Sequence, residues 1–364
     1  MTTATERPAP AQRTTAFHTL TVSAVERLCD DAVAVTFAVP DDLRERFVFR
    51  PGQFLTLRRE VDGVEQRRSY SICSPIGQAP RVGVREVSAG LFSSWLVREV
   101  APGDRVEVQE PTGTFTADPE VTGRHLLIGA GSGITPLLSI AASVLTDPAA
   151  HVTLVYGNRR TRSVMFADEI ADLKDRYGPR LSVIHALSRE PRDVELFSGR
   201  LDAQRIRAIL TELVPIDALD HTWLCGPLGM VTDAASVLED LGVDNTSIHR
   251  ELFYVGETPP PPDRHPESEG TGPTSRVTIT LDGRSTTADL PRDRTILDAA
   301  EQVRSDLPFA CKGGVCGTCR AQIRDGQADM RRNYALEDDE VDAGFVLTCQ
   351  TYPISETLTV DFDR

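Results

Sequence analysis

Four cysteines near the C-terminus constrain this chain more than any other feature. Cys311, Cys316 and Cys319 lie in the run Cys311-Lys312-Gly313-Gly314-Val315-Cys316-Gly317-Thr318-Cys319, and Cys349 lies further on. A C-x4-C-x2-C run with a distant fourth cysteine is a spacing that holds a 2Fe–2S cluster. Each iron needs tetrahedral ligation, and four thiolates satisfy two sulfide-bridged irons. Gly313, Gly314 and Gly317 let the backbone approach the sulfides and donate N–H bonds to them. A structural zinc site is the alternative, but zinc usually draws on two C-x2-C pairs and the C-x4-C step fits it poorly. An electron is expected to pass through this end of the molecule.

A chain of 364 residues exceeds one ordinary core, so two or three domains are expected. Outside the cluster run, Cys29, Cys73 and Cys225 are scattered, which suits a reducing compartment better than a disulfide scaffold. Residues 1–15 lack an apolar segment and read as a disordered tail, not a signal peptide. Leu126–Leu145 carries no charge and has the length of a membrane span. Gly129, Gly131, Gly133 and Pro136 interrupt it, so a strand, a glycine turn and a helix are expected there. The chain is therefore expected to be cytoplasmic, with no membrane partner. A net charge of −15 leaves no basic face for nucleic acid. In 276–364 acidic residues outnumber basic ones, which either offers a docking face or merely serves solubility. The run Glu337–Asp342 carries the same two readings.

The clearest boundary is Val255–Ser275, where Pro259–Pro262 favour polyproline II and the remainder is flexible linker. It is either a hinge that lets a cluster face two partners in turn or a passive tether. Before it, 16–118 reads as an antiparallel β-barrel. Its strands are expected at His18–Ser23, Ala32–Val39, Gln53–Arg58, Arg68–Ser74, Arg81–Val87 and Arg105–Gln109, with a helix at Ala89–Val97. From 119 to 254 strands and helices alternate. Strands at His125–Ile128, His151–Tyr156, Leu181–Ala186, Thr222–Cys225 and Ser247–Glu251 alternate with helices at Pro136–Leu145, Met165–Tyr177, Ala203–Thr211 and Gly229–Leu241. That is an α/β domain with a parallel sheet. After the linker, 276–364 offers a hairpin (Arg276–Leu281 and Arg284–Ala288 around Asp282-Gly283), a helix at Thr295–Arg304 and a closing strand at Thr357–Phe362. This suits a small α+β β-grasp domain.

Arg68-Ser69-Tyr70-Ser71 follows the turn Pro51-Gly52-Gln53-Phe54 and resembles the R-x-Y-S run of the ferredoxin–NADP reductase superfamily. In that setting Arg68 neutralises a flavin phosphate, Tyr70 supplies an aromatic face for the ring, the Ser71 hydroxyl and nearby backbone bond to its edge, and Ser69 belongs to the same cofactor-binding run. Gly90-Leu91-Phe92-Ser93 opens a helix whose N-terminus can take phosphate, through Gly90 and Ser93. Gly129-Ala130-Gly131-Ser132-Gly133-Ile134-Thr135-Pro136 departs from G-x-G-x-x-G and matches the superfamily's own nucleotide loop. Its glycines admit a pyrophosphate, and Thr135 and Pro136 sit in the first helical turn. Gly157–Ser163 follows the second strand, where the adenosine ribose belongs. It has no acidic residue, and Arg159 and Arg160 favour a 2′-phosphate, hence NADPH.

The order of flavin, nucleotide and C-terminal plant-type ferredoxin modules covers the chain from about Phe17. Within that group the chain is similar to the family of reductase components of phenylacetyl-CoA 1,2-epoxidase. The stretches that carry this are Phe309–Cys316, Asn333–Glu340, Gly344–Gln350, Ser188-Arg189-Glu190 and Tyr156–Arg159. Gly317 stands where that family is expected to have a further cysteine, which ligation does not need. The resemblance implies FAD, with FMN the alternative, together with NADPH and a 2Fe–2S cluster. It implies electron delivery to the di-iron oxygenase component of a multicomponent monooxygenase. It places Cys225, followed by Gly226 and Pro227, beside the nicotinamide with Ser71; Glu251 approaches the reactive edge and Phe253 covers the flavin. A buried hydrophobic role for Cys225 is the alternative. No 2-His-1-carboxylate set is evident, so oxygen chemistry belongs elsewhere. A reductase of a ketosteroid or Rieske ring hydroxylase, or a redox sensor with the same cofactors, are the competing functions.

Overall fold

The computed structural model describes residues 16–61, 63–88, 90–118, 122–253, 273–304, 306–336 and 338–364. The expected tail, almost all of the expected linker, Ala89 and Glu337 lie outside them. The chain divides into two compact units, one carrying the flavin and nucleotide layers and the other the C-terminal domain.

The first unit begins with β1 (Phe17–Cys29), β2 (Ala32–Ala38), β3 (Phe54–Val61), β4 (Val64–Ser71), β5 (Arg81–Arg85), helix α1 (Leu91–Arg98) and β6 (Arg105–Gln109). These form a 6-stranded sheet in the order β4-β3-β6-β1-β2-β5, antiparallel throughout. Its two edges meet where Ile72 bridges Val82 and the Cys73 N–H donates to the Arg81 carbonyl at 2.8 Å, which closes the barrel. Alternate apolar residues drive this: Val33, Val35 and Phe37 on β2 and Leu55 and Leu57 on β3 are buried against Phe92 and Leu96 of α1. Each such side chain contributes roughly 1.5–3 kcal/mol. β1 continues to Cys29 instead of ending at Ser23. Register irregularities at Val22/Ala24 and Arg27/Cys29 break the alternation that marks a strand in sequence.

The nucleotide layer holds β7 (Arg124–Ala130), α2 (Ile134–Val144), β8 (His151–Asn158), α3 (Ala167–Tyr177), β9 (Leu181–Leu187), α4 (Ala203–Leu213), β10 (His221–Gly226), α5 (Leu228–Asp240) and β11 (Ile248–Leu252). The uncharged run Leu126–Leu145 is thus strand, glycine turn and helix. Among the described residues no helix is long and apolar enough to cross a membrane. α3 starts at Ala167, after Phe166 adopts left-handed backbone with φ 58°. The sheet order is β11-β10-β7-β8-β9, all parallel. The chain moves from β7 to β8 on one side and later to β10 on the other, so the strand order reverses beside the carboxyl ends of β7 and β10. Open α/β sheets leave their ligand crevice at such a point.

Barrel and nucleotide layer share one core, in which Ala32, Ala34 and Phe115 join Leu137, Leu138, Phe166 and Trp223. Polar contacts reinforce it. The Ser139 hydroxyl donates to the Ser74 carbonyl at 2.7 Å, and the Ile76 N–H donates to the Ser143 hydroxyl at 3.0 Å. Arg81 Nη2 lies 2.7 and 2.6 Å from the two carboxylate oxygens of Glu169.

The second unit holds β12 (Thr274–Leu281), β13 (Arg284–Pro291), α6 (Ile296–Ala300), β14 (Arg320–Met330), α7 (Asp338–Asp342), β15 (Phe345–Leu347) and β16 (Thr351–Asp361). Its sheet order is β13-β12-β16-β14-β15, with β12 and β16 parallel. Asp282 and Gly283 both have positive φ, 52° and 69°, as the two-residue hairpin requires. The buried Arg304 guanidinium fastens that hairpin by donating to the Arg284 and Leu281 carbonyls at 2.8 and 2.9 Å. β12 starts at Thr274 rather than Arg276, since Ser275 is buried and its hydroxyl accepts from Arg292 Nε at 2.9 Å. The helix expected to reach Arg304 ends at Ala300.

Candidate active site and candidate metal centre

Strand register assembles the first site. Cys225 on β10 lies level with Gly129 on β7 and with Glu251 on β11, so three strand ends meet at the crevice. Gly133 opens α2 so close to β10 that an added Cβ would lie 2.2 Å from the Cys225 carbonyl oxygen; only glycine fits. The Thr135 hydroxyl donates to the Ser132 carbonyl at 2.9 Å, and the Tyr156 hydroxyl to the Gly131 carbonyl at 2.9 Å. Pro136 lies within the buried α2. Gly226, followed by Pro227, accepts the Phe253 N–H at 2.9 Å, which sets Phe253 against the end of β10.

The barrel contributes the opposite wall. Ser71, the last residue of β4, donates its hydroxyl to Glu251 Oε2 at 3.2 Å. The Cys225 thiol lies 3.8 Å from the same oxygen. Burial pushes the Glu251 carboxyl up to about 8, against a downward pull from the Ser71 hydroxyl and the Cys225 thiol. Burial and the Glu251 carboxyl push the Cys225 thiol well above the ordinary range. Burial here therefore favours the protonated carboxyl and the un-ionised thiol.

Along β4, Arg68 and Tyr70 share one face by the strand's period of two. Arg68 is exposed, bonded to the Arg67 carbonyl at 2.6 Å and to Gln66 Oε1 at 3.3 Å. The Tyr70 ring sits 6.1 Å from that of Phe92. An exposed guanidinium and an aromatic face on one side of a strand suit a ring-and-phosphate cofactor. Ser69 hydrogen-bonds across to Thr56 at 3.3 Å. Ser93 is buried, and its hydroxyl is spent on the Gly90 carbonyl and the Val87 N–H at 3.3 and 3.0 Å. It shapes the turn before α1.

Arg159 and Arg160 are exposed after β8. Two features of that loop are not evident from its own sequence. Glu190 folds onto it, accepting the Thr161 N–H at 2.9 Å and the Thr161 hydroxyl at 2.6 Å. Those bonds hold its carboxyl below the usual range. The buried Asn158 amide has no hydrogen bond from either polar atom among the described residues, an orphan that a bound nucleotide can satisfy. Asn158 stood in the quoted loop, but nothing in sequence separates an orphaned amide from a satisfied one.

The second site is the cysteine loop. All four cysteines are free. The thiols act on one another in two pairs, Cys311 with Cys316 and Cys319 with Cys349. Contact with Cys316 and backbone N–H groups of Gly313, Val315 and Cys316 hold the Cys311 thiol low; contact with Cys349 and burial push the Cys319 thiol up. The Thr348 N–H and hydroxyl both donate to the Cys319 carbonyl, at 3.1 and 2.9 Å, which brings Cys349 alongside Cys319. The Gly313 N–H points to Cys311 Sγ at 3.3 Å. Among the described residues no group of three or more His, Cys, Asp or Glu gathers as a single-ion site. Two thiol pairs with a backbone donor fit a two-iron cluster, in which each iron takes two thiolates.

The sequence matches three family models: an oxidoreductase FAD-binding domain over residues 19–117, an oxidoreductase NAD-binding domain over 127–236 and a 2Fe-2S iron-sulfur cluster binding domain over 279–353. It is 42% identical to one of the subunits of 1,2-phenylacetyl-CoA epoxidase from Escherichia coli (strain K12), over 96% of this chain and 98% of that one. It is 35% identical to the ferredoxin reductase component of 3-ketosteroid-9-alpha-monooxygenase from Rhodococcus rhodochrous, over 94% and 96%. Phthalate dioxygenase reductase shares the fold, with TM-score 0.57 at 22% identity over 95% of this chain and 98% of that one.

Proposed function

The chain belongs to the ferredoxin–NADP reductase superfamily, in the branch of oxygenase reductases that join FAD-binding, NAD-binding and 2Fe–2S domains, and from that premise we propose that it serves the di-iron oxygenase component of a phenylacetyl-CoA epoxidase, with NADPH as donor. It is an oxidoreductase that delivers electrons to an oxygenase. The observation that carries the choice of partner is the 42% identity to the epoxidase component across nearly all of both chains.

When bound, FAD and the cluster turn a hydride from the nicotinamide into single electrons. The residues of this chain bind, orient and exclude water. Arg68 would hold a flavin phosphate and Tyr70 would offer its ring from the same face of β4, with Gly90 at the turn before α1, while Ser69 faces the other way and bonds Thr56. Backbone at Gly129, Gly131 and Gly133, with Thr135 and Pro136, takes the pyrophosphate. Arg159 and Arg160 take a 2′-phosphate. The Glu190 carboxylate is held by the Thr161 N–H and hydroxyl beside them. Burial favours the neutral form of the Glu251 carboxyl, with Ser71 and Cys225 as its partners, so it would set little negative charge beside a bound flavin. Gly226 and Pro227 turn the chain, and Phe253 shields that end from water. Cys311, Cys316, Cys319 and Cys349 hold the cluster.

Reconstitution with the phenylacetyl-CoA oxygenase component, NADPH and oxygen tests this reading. Epoxidised phenylacetyl-CoA that depends on this chain supports it. No product, with fast NADPH-driven reduction of an artificial acceptor, moves the partner to another oxygenase. Slow reduction of that acceptor favours a sensor.

A further inference from the structure

The cysteine loop is gripped by residues that the reading above does not use. Lys312 follows Cys311 directly and has φ 50°, a backbone region that long side chains seldom occupy. Its ammonium lies 3.0 Å from Asp298 Oδ1 and 2.5 Å from Glu301 Oε2. It also stands 4.7 Å from the centre of the Phe309 ring. Asp298 lies within α6 and Glu301 caps its C-terminal end, so one short helix supplies both counter-charges. On the backbone side, Gln350 Nε2 donates to the Lys312 carbonyl at 2.9 Å and to the Cys349 carbonyl at 2.8 Å, and lies 3.6 Å from Cys349 Sγ. Residue 312 therefore ties together α6, the loop carrying the first three cysteines and the turn carrying the fourth.

A one-electron centre feels each fixed charge near it. A cation favours the reduced form and an anion opposes it, and hydrogen bonds and solvent access add to this. We propose that Lys312 is a positioning residue that sets the reduction potential of the cluster through a charge balanced by Asp298 and Glu301, with Gln350 fixing its backbone. The inference rests on Cys311, Cys316, Cys319 and Cys349 being the cluster ligands.

Spectroscopic redox titration of the full-length holoprotein tests it, on the wild type, Lys312→Met, the pair Asp298→Asn with Glu301→Gln, and all three together. Lys312→Met is expected to lower the potential, because two carboxylates lose their cation. The carboxylate pair is expected to raise it, because the cation loses its partners. Each shift should be about threefold to tenfold in the one-electron equilibrium, tenfold being about 59 mV, and the triple variant should fall between them. Shifts of the same sign, or unmoved potentials with iron content intact, overturn the proposal. A wild-type protein purified with neither iron nor sulfide would instead overturn the ligand reading. Iron content and thermal unfolding of each variant separate a lost cluster or lost fold from a shifted potential.

Discussion

Glu251 is buried with a hydroxyl and a thiol as its partners in place of a cation. Its carboxyl rises to about 8 in the folded chain, against about 4.3 when unfolded. The native state therefore binds more protons between those values. This group's contribution to stability is complete below the unfolded value and is lost as pH rises towards 8. Glu251→Gln removes that dependence. The variant should gain on the wild type from pH 5 to pH 8, by at most about 1.4 kcal/mol per pH unit. Urea unfolding at the two pH values checks this, and a constant difference would mean that Glu251 is ionised in the fold. The 2Fe–2S domain was legible because the spacing of Cys311, Cys316 and Cys319 gathers three thiols in one loop. Glu251 was not legible from its own surroundings. Its partner Ser71 stands 180 positions away, and only register and barrel closure bring them together.

At the scale of elements, the glycine turn and the arginine loop carry the nucleotide reading. Gly133→Ala places a methyl 2.2 Å from the Cys225 carbonyl oxygen, so α2 must move off β10. Overpacking of this kind costs about 1–3 kcal/mol. It should weaken NADPH and NADH alike, which binding titrations read directly. Arg159→Ala with Arg160→Ala should instead raise KM for NADPH about tenfold or more while moving NADH much less, since only one cofactor carries the 2′-phosphate. Equal losses would end the NADPH assignment. Elements with clean periodicity were legible here. β14 and β15 were not. β14 carries register shifts at Ile323/Asp325 and Gly326/Ala328, and its polar residues give no period of two, so its strand character comes from pairing with β16. Glu190 was invisible at the arginine loop for a similar reason, because the parallel pairing of β8 and β9 delivers it there.

For the molecule as a whole, the first unit is held across its two layers by a shared core and by the Arg81–Glu169 pair at 2.6 Å. A double-mutant cycle with Arg81→Ala and Glu169→Ala should give a coupling of about 0.5–3 kcal/mol, read by chemical unfolding of the flavin-loaded protein. No coupling would mean that apolar packing alone joins the layers. The Ser139–Ser74 and Ser143–Ile76 bonds cross the same boundary, so α2 is built as much to receive the barrel as to open the nucleotide loop. This bears on how such chains recombine. A transplanted barrel would face the Ser139 and Ser143 hydroxyls of α2 and the Glu169 carboxylate of α3 without the backbone groups and the arginine they meet here, and Ser71 would no longer meet Glu251. The exchangeable parts are therefore two rather than three: barrel and nucleotide layer inherited together, and a ferredoxin domain with its own core free to be traded between donors.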